Sequence, residues 1–268
     1  MTPPSSARDE RVAALSYFFP AHDEAENIEP LVAEALEELA GLAQRFEIIC
    51  VDDGSTDGTA AIADRLAAAH ADVVRVVHHP TNLGYGSAVR SGLAAARYPL
   101  ICFTDGDRQF RIADLSGLLR RLADADRTAT PADVVAGFRI KRADPAVRLA
   151  YARVYRACLR LFFGLRVQDP DCACKLFRRR SLDGVHVESG GAFLSAELLI
   201  KISERGGVIV EHGVPHHPRT AGRASGADPR VVWRAVRDFW ALRLRLWADR
   251  RAALRRGAPI LVGDASED

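Results

Sequence analysis

Two carboxylates one residue apart, Asp105 and Asp107, with the amide of Gln109 two positions further on, close a short apolar run from Leu100 to Phe103. Carboxylate and amide oxygens suit Mg2+ or Mn2+, a hard cation that keeps part of its water and takes the rest of its shell from a substrate's phosphates. An apolar run of this length, bounded by Pro99 and Gly106, reads as a buried strand. The carboxyl ends of parallel strands are where open α/β sheets bind ligands. The plain alternative is an Asp-Gly turn that only caps the next helix. Two acidic loops upstream weigh against it: Ala21 to Asn27 after the strand pattern Leu15 to Pro20, and Asp52 to Thr59 after Phe46 to Val51. Asp57 fits an N-cap, whereas adjacent Asp52 and Asp53 repel each other unless something binds them.

The elements that must position these groups alternate regularly. Helical patterns run from the first acidic loop to about Gln44, from Ala60 to Ala69, from the Asn82-Leu-Gly-Tyr-Gly-Ser87 turn to Arg97, and from Ala113 to Ala123. Between them lie strand patterns at Val73 to Val77, Leu100 to Phe103 and Asp133 to Phe138. Four strand and helix repeats predict an α/β fold with a single doubly wound, mostly parallel sheet and flanking helices. The glycines at 84 and 86 do not spell the dinucleotide fingerprint, so a dinucleotide fold is disfavoured. Further on, a basic helix at Ala146 to Phe163, a loop running into a strand over Val167 to Phe177, a helix beginning near Gly191 and a strand at Val208 to Val210 are expected. A basic Gly/Pro-rich loop, 215–226, follows.

The 268 residues carry 37 basic and 35 acidic side chains, unevenly spread: 15 acids and 5 bases in residues 1–80, against 3 acids and 12 bases in residues 139–180. Such a split fits a site with a cation on one side and anionic groups on the other. Five cysteines without a regular framework point to a reducing compartment, with Cys172 and Cys174 as ordinary buried thiols. No leader pattern and no membrane-spanning apolar run is present, so a cytoplasmic protein is expected, peripheral at most on the membrane's cytoplasmic face. The expected organisation is a flexible start (1–11), a catalytic domain (12–226), a basic amphipathic helix (227–256) and a disordered tail (257–268). In that last helix Trp233, Val236, Trp240, Leu244 and Trp247 form a stripe among nine arginines and two acids. The composition fits a helix on an anionic membrane surface; the stripe fits packing on the domain or on a second copy, hence a homodimer, and that reading stands ahead because such a stripe more often forms a core or a dimer interface. No recognition motif accompanies the arginines, and no nucleic acid partner is expected.

The succession Phe19 to Ile28, Val51 to Thr59, Asn82 to Gly86, Thr104 to Phe110 and His217 to Ser225 resembles family 2 glycosyltransferases of the GT-A fold. Within that family it is most similar to the polyprenyl-phosphate (dolichyl-phosphate) mannose and glucose synthases. The resemblance implies a nucleotide-sugar donor, GDP- or UDP-linked, with Pro20, Ala21, Glu24 and Asp53 at the nucleoside. It places Asp105, Asp107 and Gln109 in the metal and diphosphate motif. It puts Arg139 on phosphates or donor sugar, Asp169 in an Asp-Pro-x-Cys-Gly segment, Arg219 and Ser225 on the acceptor's phosphate, and Glu197 at the acidic position near the acceptor. Three departures stand out: His22-Asp23 for Tyr-Asn, Arg108 after the second metal carboxylate, and Ala173 for a glycine.

These residues imply a metal-dependent, inverting sugar transfer. A lipid-phosphate acceptor arrives ionised and needs little base help, with Arg139 and Arg219 orienting it. A hydroxyl acceptor on a soluble glycan or small molecule needs a general base, Glu197 first and Asp169 second. The rivals are a phosphohydrolase using Asp105 as nucleophile, disfavoured because Gln109 and a fourth strand stand where that class has other features, and a non-catalytic nucleotide-sugar or lipid-binding protein.

Overall fold

A computed structural model describes residues 11–140, 146–219 and 229–255. Seven strands form one sheet in the order β3-β2-β1-β4-β6-β5-β7. They are β1 (Leu15–Ala21), β2 (Phe46–Asp52), β3 (Val74–His78), β4 (Leu100–Phe103), β5 (Val134–Arg139), β6 (Lys175–Arg178) and β7 (Ile209–Val214). Six pair with parallel neighbours; β6 alone is antiparallel, to β4 on one side and β5 on the other. The helices are α1 (Ala25–Leu42), α2 (Thr59–Ala69), α3 (Tyr85–Ala95), α4 (Leu115–Ala125), α5 (Ala146–Phe163), α6 (Leu194–Glu204) and α7 (Pro229–Arg255).

The expected mostly parallel α/β sheet is what forms, and its central strands explain why. β1 and β4 are apolar almost throughout, as strands covered by helices on both faces must be. Phe18 stacks on Phe103 and Phe103 on Phe177, so one aromatic layer runs across three neighbouring strands. Parallel register brings the carboxyl ends of β1, β2 and β4 to one rim, carrying Ala21, Asp52 and Phe103 with the loops that follow them. β6 enters from the opposite direction, so its amino end, not its carboxyl end, reaches that rim: Lys175 pairs with Phe103. Nothing in the sequence marked this reversal, because a short buried strand shows the same apolar run in either direction.

Cys172 and Cys174 are buried free thiols, as expected. Of the three departures, two fall at left-handed backbone, Asp23 at φ 54° and Arg108 at φ 59°. Asp tolerates this region because its short side chain bonds locally. Here Asp23 Oδ1 accepts from the amides of Thr56 and Asp57. Arg108 has no such compensation, and the conformation costs of order 1–2 kcal/mol. The expected flexible start and tail fall almost wholly outside the described residues.

Candidate active site

The turn after β4 is built around a close approach. Gly106 separates the two carboxylates, and a Cβ there would lie 2.7 Å from the Pro20 carbonyl oxygen at the end of β1. Only glycine lets Asp105 and Asp107 fold back against β1. The Tyr85 hydroxyl, from the start of α3, hydrogen-bonds the Asp105 carboxylate. Even so, Asp105 Oδ1 is buried with no partner. Burial first, and the neighbouring Asp107 charge second, push the Asp105 carboxyl up to about 6. Asp107 is also buried, and its Oδ2 accepts from the Arg219 guanidinium at 2.7 Å. Arg219 reaches Glu24 Oε1 as well, at 3.3 Å, so one guanidinium bridges two carboxylates from different loops. Glu24 is half-buried, and burial raises its carboxyl above the usual range despite bonds to Asn27 and Arg219.

The residues here fit a divalent cation. Asp105 and Asp107 offer hard oxygen ligands, one with a buried atom that no protein group satisfies. Among the described residues no three His, Cys, Asp or Glu side chains are arranged to hold a metal by themselves, so the protein would supply two carboxylates and leave other positions to a diphosphate and water. Gln109 is placed differently. Its side-chain amide donates to the His217 carbonyl at 3.1 Å, while the His217 amide donates to the Gln109 carbonyl at 2.9 Å. With Phe110 edge-on to His216, this anchors the segment carrying Arg219 over the carboxylates.

The second acidic pair is already bound. Asp52 Oδ2 meets His78 Nδ1 at 2.9 Å, and Asp53 Oδ1 meets His79 Nδ1 at 2.6 Å. Asp53 also accepts from the amides of Leu83 and Gly84, so it fixes the turn that leads to Tyr85. These histidines were missed in the sequence. The signal was the parallel register, which sets His78 beside Asp52 at the ends of neighbouring strands.

On the basic side, Arg139 at the end of β5 clamps Asp169 with two bonds, Nε to Oδ2 at 2.6 Å and a terminal nitrogen to Oδ1 at 2.8 Å. The pair borders a cavity of about 160 Å³ that Arg153 and Arg156 of α5 and Gln168 also line. One strand, β6, separates β4 from β5, so the ends of those two strands stand about 10 Å apart at ordinary strand spacing. Beneath them lies Lys175, fully buried, donating to the carbonyls of Pro170 and Cys172 and lowered in pKa by its burial. Glu197 is fully buried at the start of α6. Its oxygens accept from the amides of Glu188 and Ser189, and Lys201 pairs with it at 2.8 Å. The segment it holds touches α3, through the Gly190 carbonyl on the Gly86 amide and the Ser189 carbonyl on Arg90.

Residues 16–185, more than half of the chain, match the sequence model of glycosyl transferase family 2. The chain belongs to glycosyl transferase family 2. This family 2 enzyme is 28% identical to glycosyltransferase AglD of Haloferax volcanii over 92% of its own length and 40% of AglD. It is 28% identical to polyprenol monophosphomannose synthase of Mycolicibacterium smegmatis, over 85% of this chain and 86% of that one. It is also 28% identical to dodecaprenyl-phosphate galacturonate synthase of Rhizobium johnstonii, over 61% of this chain and 47% of that protein. The chain therefore spans under half the length of two of these three relatives. Glucosyl-3-phosphoglycerate synthase from Mycobacterium tuberculosis, solved with phosphoglyceric acid, superposes with a TM-score of 0.66 at 23% identity, over 85% of this chain and 79% of that one. That likeness identifies the GT-A fold. Another structure of the same synthase holds Mn2+, UDP and glucosyl-3-phosphoglycerate.

The glycosyltransferase thus brings Glu24, Asp105, Asp107 and Arg219 into one contiguous group, with Pro20 and Ala21 forming the end of β1 beside it. Asp53 joins it through the turn before Tyr85, and Arg139 with Asp169 forms a second group across β6. Glu197 shares no bond with either, and Ser225 lies outside the described residues. Tyr85 and Lys175 went unnoticed in the sequence; a tyrosine inside a glycine turn reads as packing, and a lysine in a strand as an exposed charge.

Proposed function

We propose that this glycosyltransferase moves a sugar from a nucleoside-diphosphate donor to the phosphate of a polyprenyl acceptor, with inversion and with a divalent metal at Asp105 and Asp107. The observation that carries the metal half is the partnerless buried oxygen of Asp105 next to Asp107. Bound there, the metal would neutralise charge on the leaving diphosphate as a Lewis acid. Tyr85 orients Asp105, and Gly106 allows both carboxylates to face the same space. Asp53, held by His79, sets the turn carrying Tyr85, and Glu24 lines the nucleoside side.

The acceptor half rests on the two expected bases. Both oxygens of Asp169 are engaged by Arg139, and those of Glu197 by two amides and Lys201. A phosphate acceptor needs neither, because its oxygen is already ionised near neutral pH. That oxygen attacks the anomeric carbon as the bond from this carbon to the diphosphate breaks, and no proton has to be removed. Arg139 and Arg219 supply planar donors suited to phosphate oxygens. Glu197 in this reading is a positioning residue that holds 188–190 against α3. The products named for the Mycolicibacterium and Rhizobium relatives, sugars on prenyl phosphates, agree with a polyprenyl-phosphate acceptor.

The test is transfer from radiolabelled GDP- and UDP-sugars to polyprenyl phosphate and to the matching polyprenol, with Mn2+ or with chelator. Product on the phosphate alone, lost in chelator, is the expected result. Equal transfer to the alcohol removes the acceptor half; full turnover in chelator removes the metal.

A further inference from the structure

The tryptophan stripe stays largely exposed, touching the domain where Trp240 meets Phe162. α7 is seated by its other side: Phe239 and Leu242 are buried, and Phe239 contacts Phe162, Phe163 and Phe193. A quarter turn away, Trp233, Trp240 and Trp247 are 72%, 47% and 45% exposed, with Val236 and Leu244 between them also exposed. These three are all the tryptophans of the protein. The apolar surface continues onto α5, where Phe162 meets Trp240 edge-on at 5.2 Å and Leu161, Val154 and Tyr151 are exposed. Arg237 and Arg243 fall on the two flanks of the stripe by helical spacing, and Arg251 stacks on the Trp247 ring with its guanidinium 3.6 Å from the centroid.

We infer that the joint face of α5 and α7 is a docking surface for an anionic lipid bilayer. Tryptophans at an interface place an apolar ring among acyl chains and a polar N–H among headgroups, and flanking arginines meet lipid phosphates. Of the two acids of α7, Asp238 is buried and paired with Arg237, so the outward face is almost purely cationic. A second copy is the weaker occupant: a two-fold contact would set this arginine-rimmed stripe against itself, like charge on like. α5 also lines the cavity beside Arg139 with Arg153 and Arg156, so one helix borders both the lipid-facing surface and an anion-sized recess. The inference goes beyond the acceptor reading, because vesicle binding is measured with neither donor nor acceptor present.

The full chain is mixed with vesicles of phosphatidylcholine, alone or with about a third phosphatidylglycerol, at low and high salt. Expected are a blue shift of tryptophan emission, protection from acrylamide and co-sedimentation, all at least about tenfold stronger with the anionic vesicles and weakened by salt. Two variants, Trp233→Ser with Leu244→Ser, and Arg237→Glu with Arg243→Glu, each lower vesicle affinity about tenfold or more while circular dichroism is unchanged. No vesicle binding overturns the inference. So does emission that is already blue-shifted and acrylamide-shielded before lipid is added, whether light scattering then shows a dimer or a monomer whose own chain covers the stripe.

Discussion

The rims of β2 and β4 both end in a pair of aspartates, yet they are opposite in kind. At β2 the partners come from the sheet itself: His78 and His79 stand at the end of β3, and the amides of Ser55, Leu83 and Gly84 close around the oxygens. At β4, Asp105 keeps a buried oxygen with no partner, and Asp107 is matched by Arg219, more than a hundred residues away on a loop. The lesson is that acidity at a strand end does not mark a reactive site. On the proposed function, the mark is a charge whose partner is missing or can be exchanged.

The sharpest way to break the comparison is to delete one carboxylate from each rim. Asp107→Ala is expected to lower turnover at least about 10³-fold, because a metal's charge stabilisation is worth several kcal/mol. Asp52→Ala should leave turnover within about tenfold and lower the melting temperature by several degrees, since the Ser55 amide and His78 lose their acceptor. Assay with a labelled donor beside differential scanning fluorimetry separates the two; a dead but stable Asp52→Ala would erase the contrast. Next in size is Arg219→Ala. Transfer is expected to fall about 10²-fold with the acceptor clamp, while Mn2+ affinity by calorimetry rises about tenfold because Asp107 loses a competing cation. Falling metal affinity would mean that Arg219 supports the carboxylates instead of occupying them. Gly106→Ala comes third: the 2.7 Å contact to Pro20 forces the turn outward, and a loss of about tenfold in turnover with native circular dichroism is expected.

The smallest effect is in pH. The Asp105 carboxyl is raised from 3.8 to about 6 in the fold, so the native state holds this proton more tightly than the unfolded chain. Its stabilising contribution is complete below pH about 4 and is lost as pH rises through about 6. The melting temperature of Asp105→Asn minus that of the ligand-free protein should therefore grow by a few degrees across this window. Mn2+ affinity should rise over the same window, because the deprotonated carboxylate is the ligand. A flat difference would place Asp105 in contact with water.

Much of this was legible from residue types. The strands and helices announced themselves by apolar runs and periodicity, and Asp105 and Asp107 by the abrupt end of the run at Phe103. What the chain hid were facts of pairing. His78 and His79 matter only because β3 lies beside β2 in register, and Lys175 only because β6 is reversed. Gln109 read as a ligand by spacing, and its side-chain nitrogen also holds His217, a contact across 108 residues that spacing could not show. The tryptophan stripe was plain as a stripe, while its outward direction depended on Phe239 and Leu242 taking the inner side.

The reversal of β6 has a structural corollary. Because this strand starts at the rim that carries Asp105 and Asp107, the chain leading into it, from Gly164 to Cys174, is held by Arg139, Glu211 and Lys175 and by the core packing of Leu165 and of Cys172 to Cys174. Its exposed side chains, Arg166 and Gln168, can vary without moving β1, β2 or β4. A change at Gln168, which lines the cavity beside Arg139, would thus leave the half of the sheet that bears Asp53, Asp105 and Asp107 in its shape.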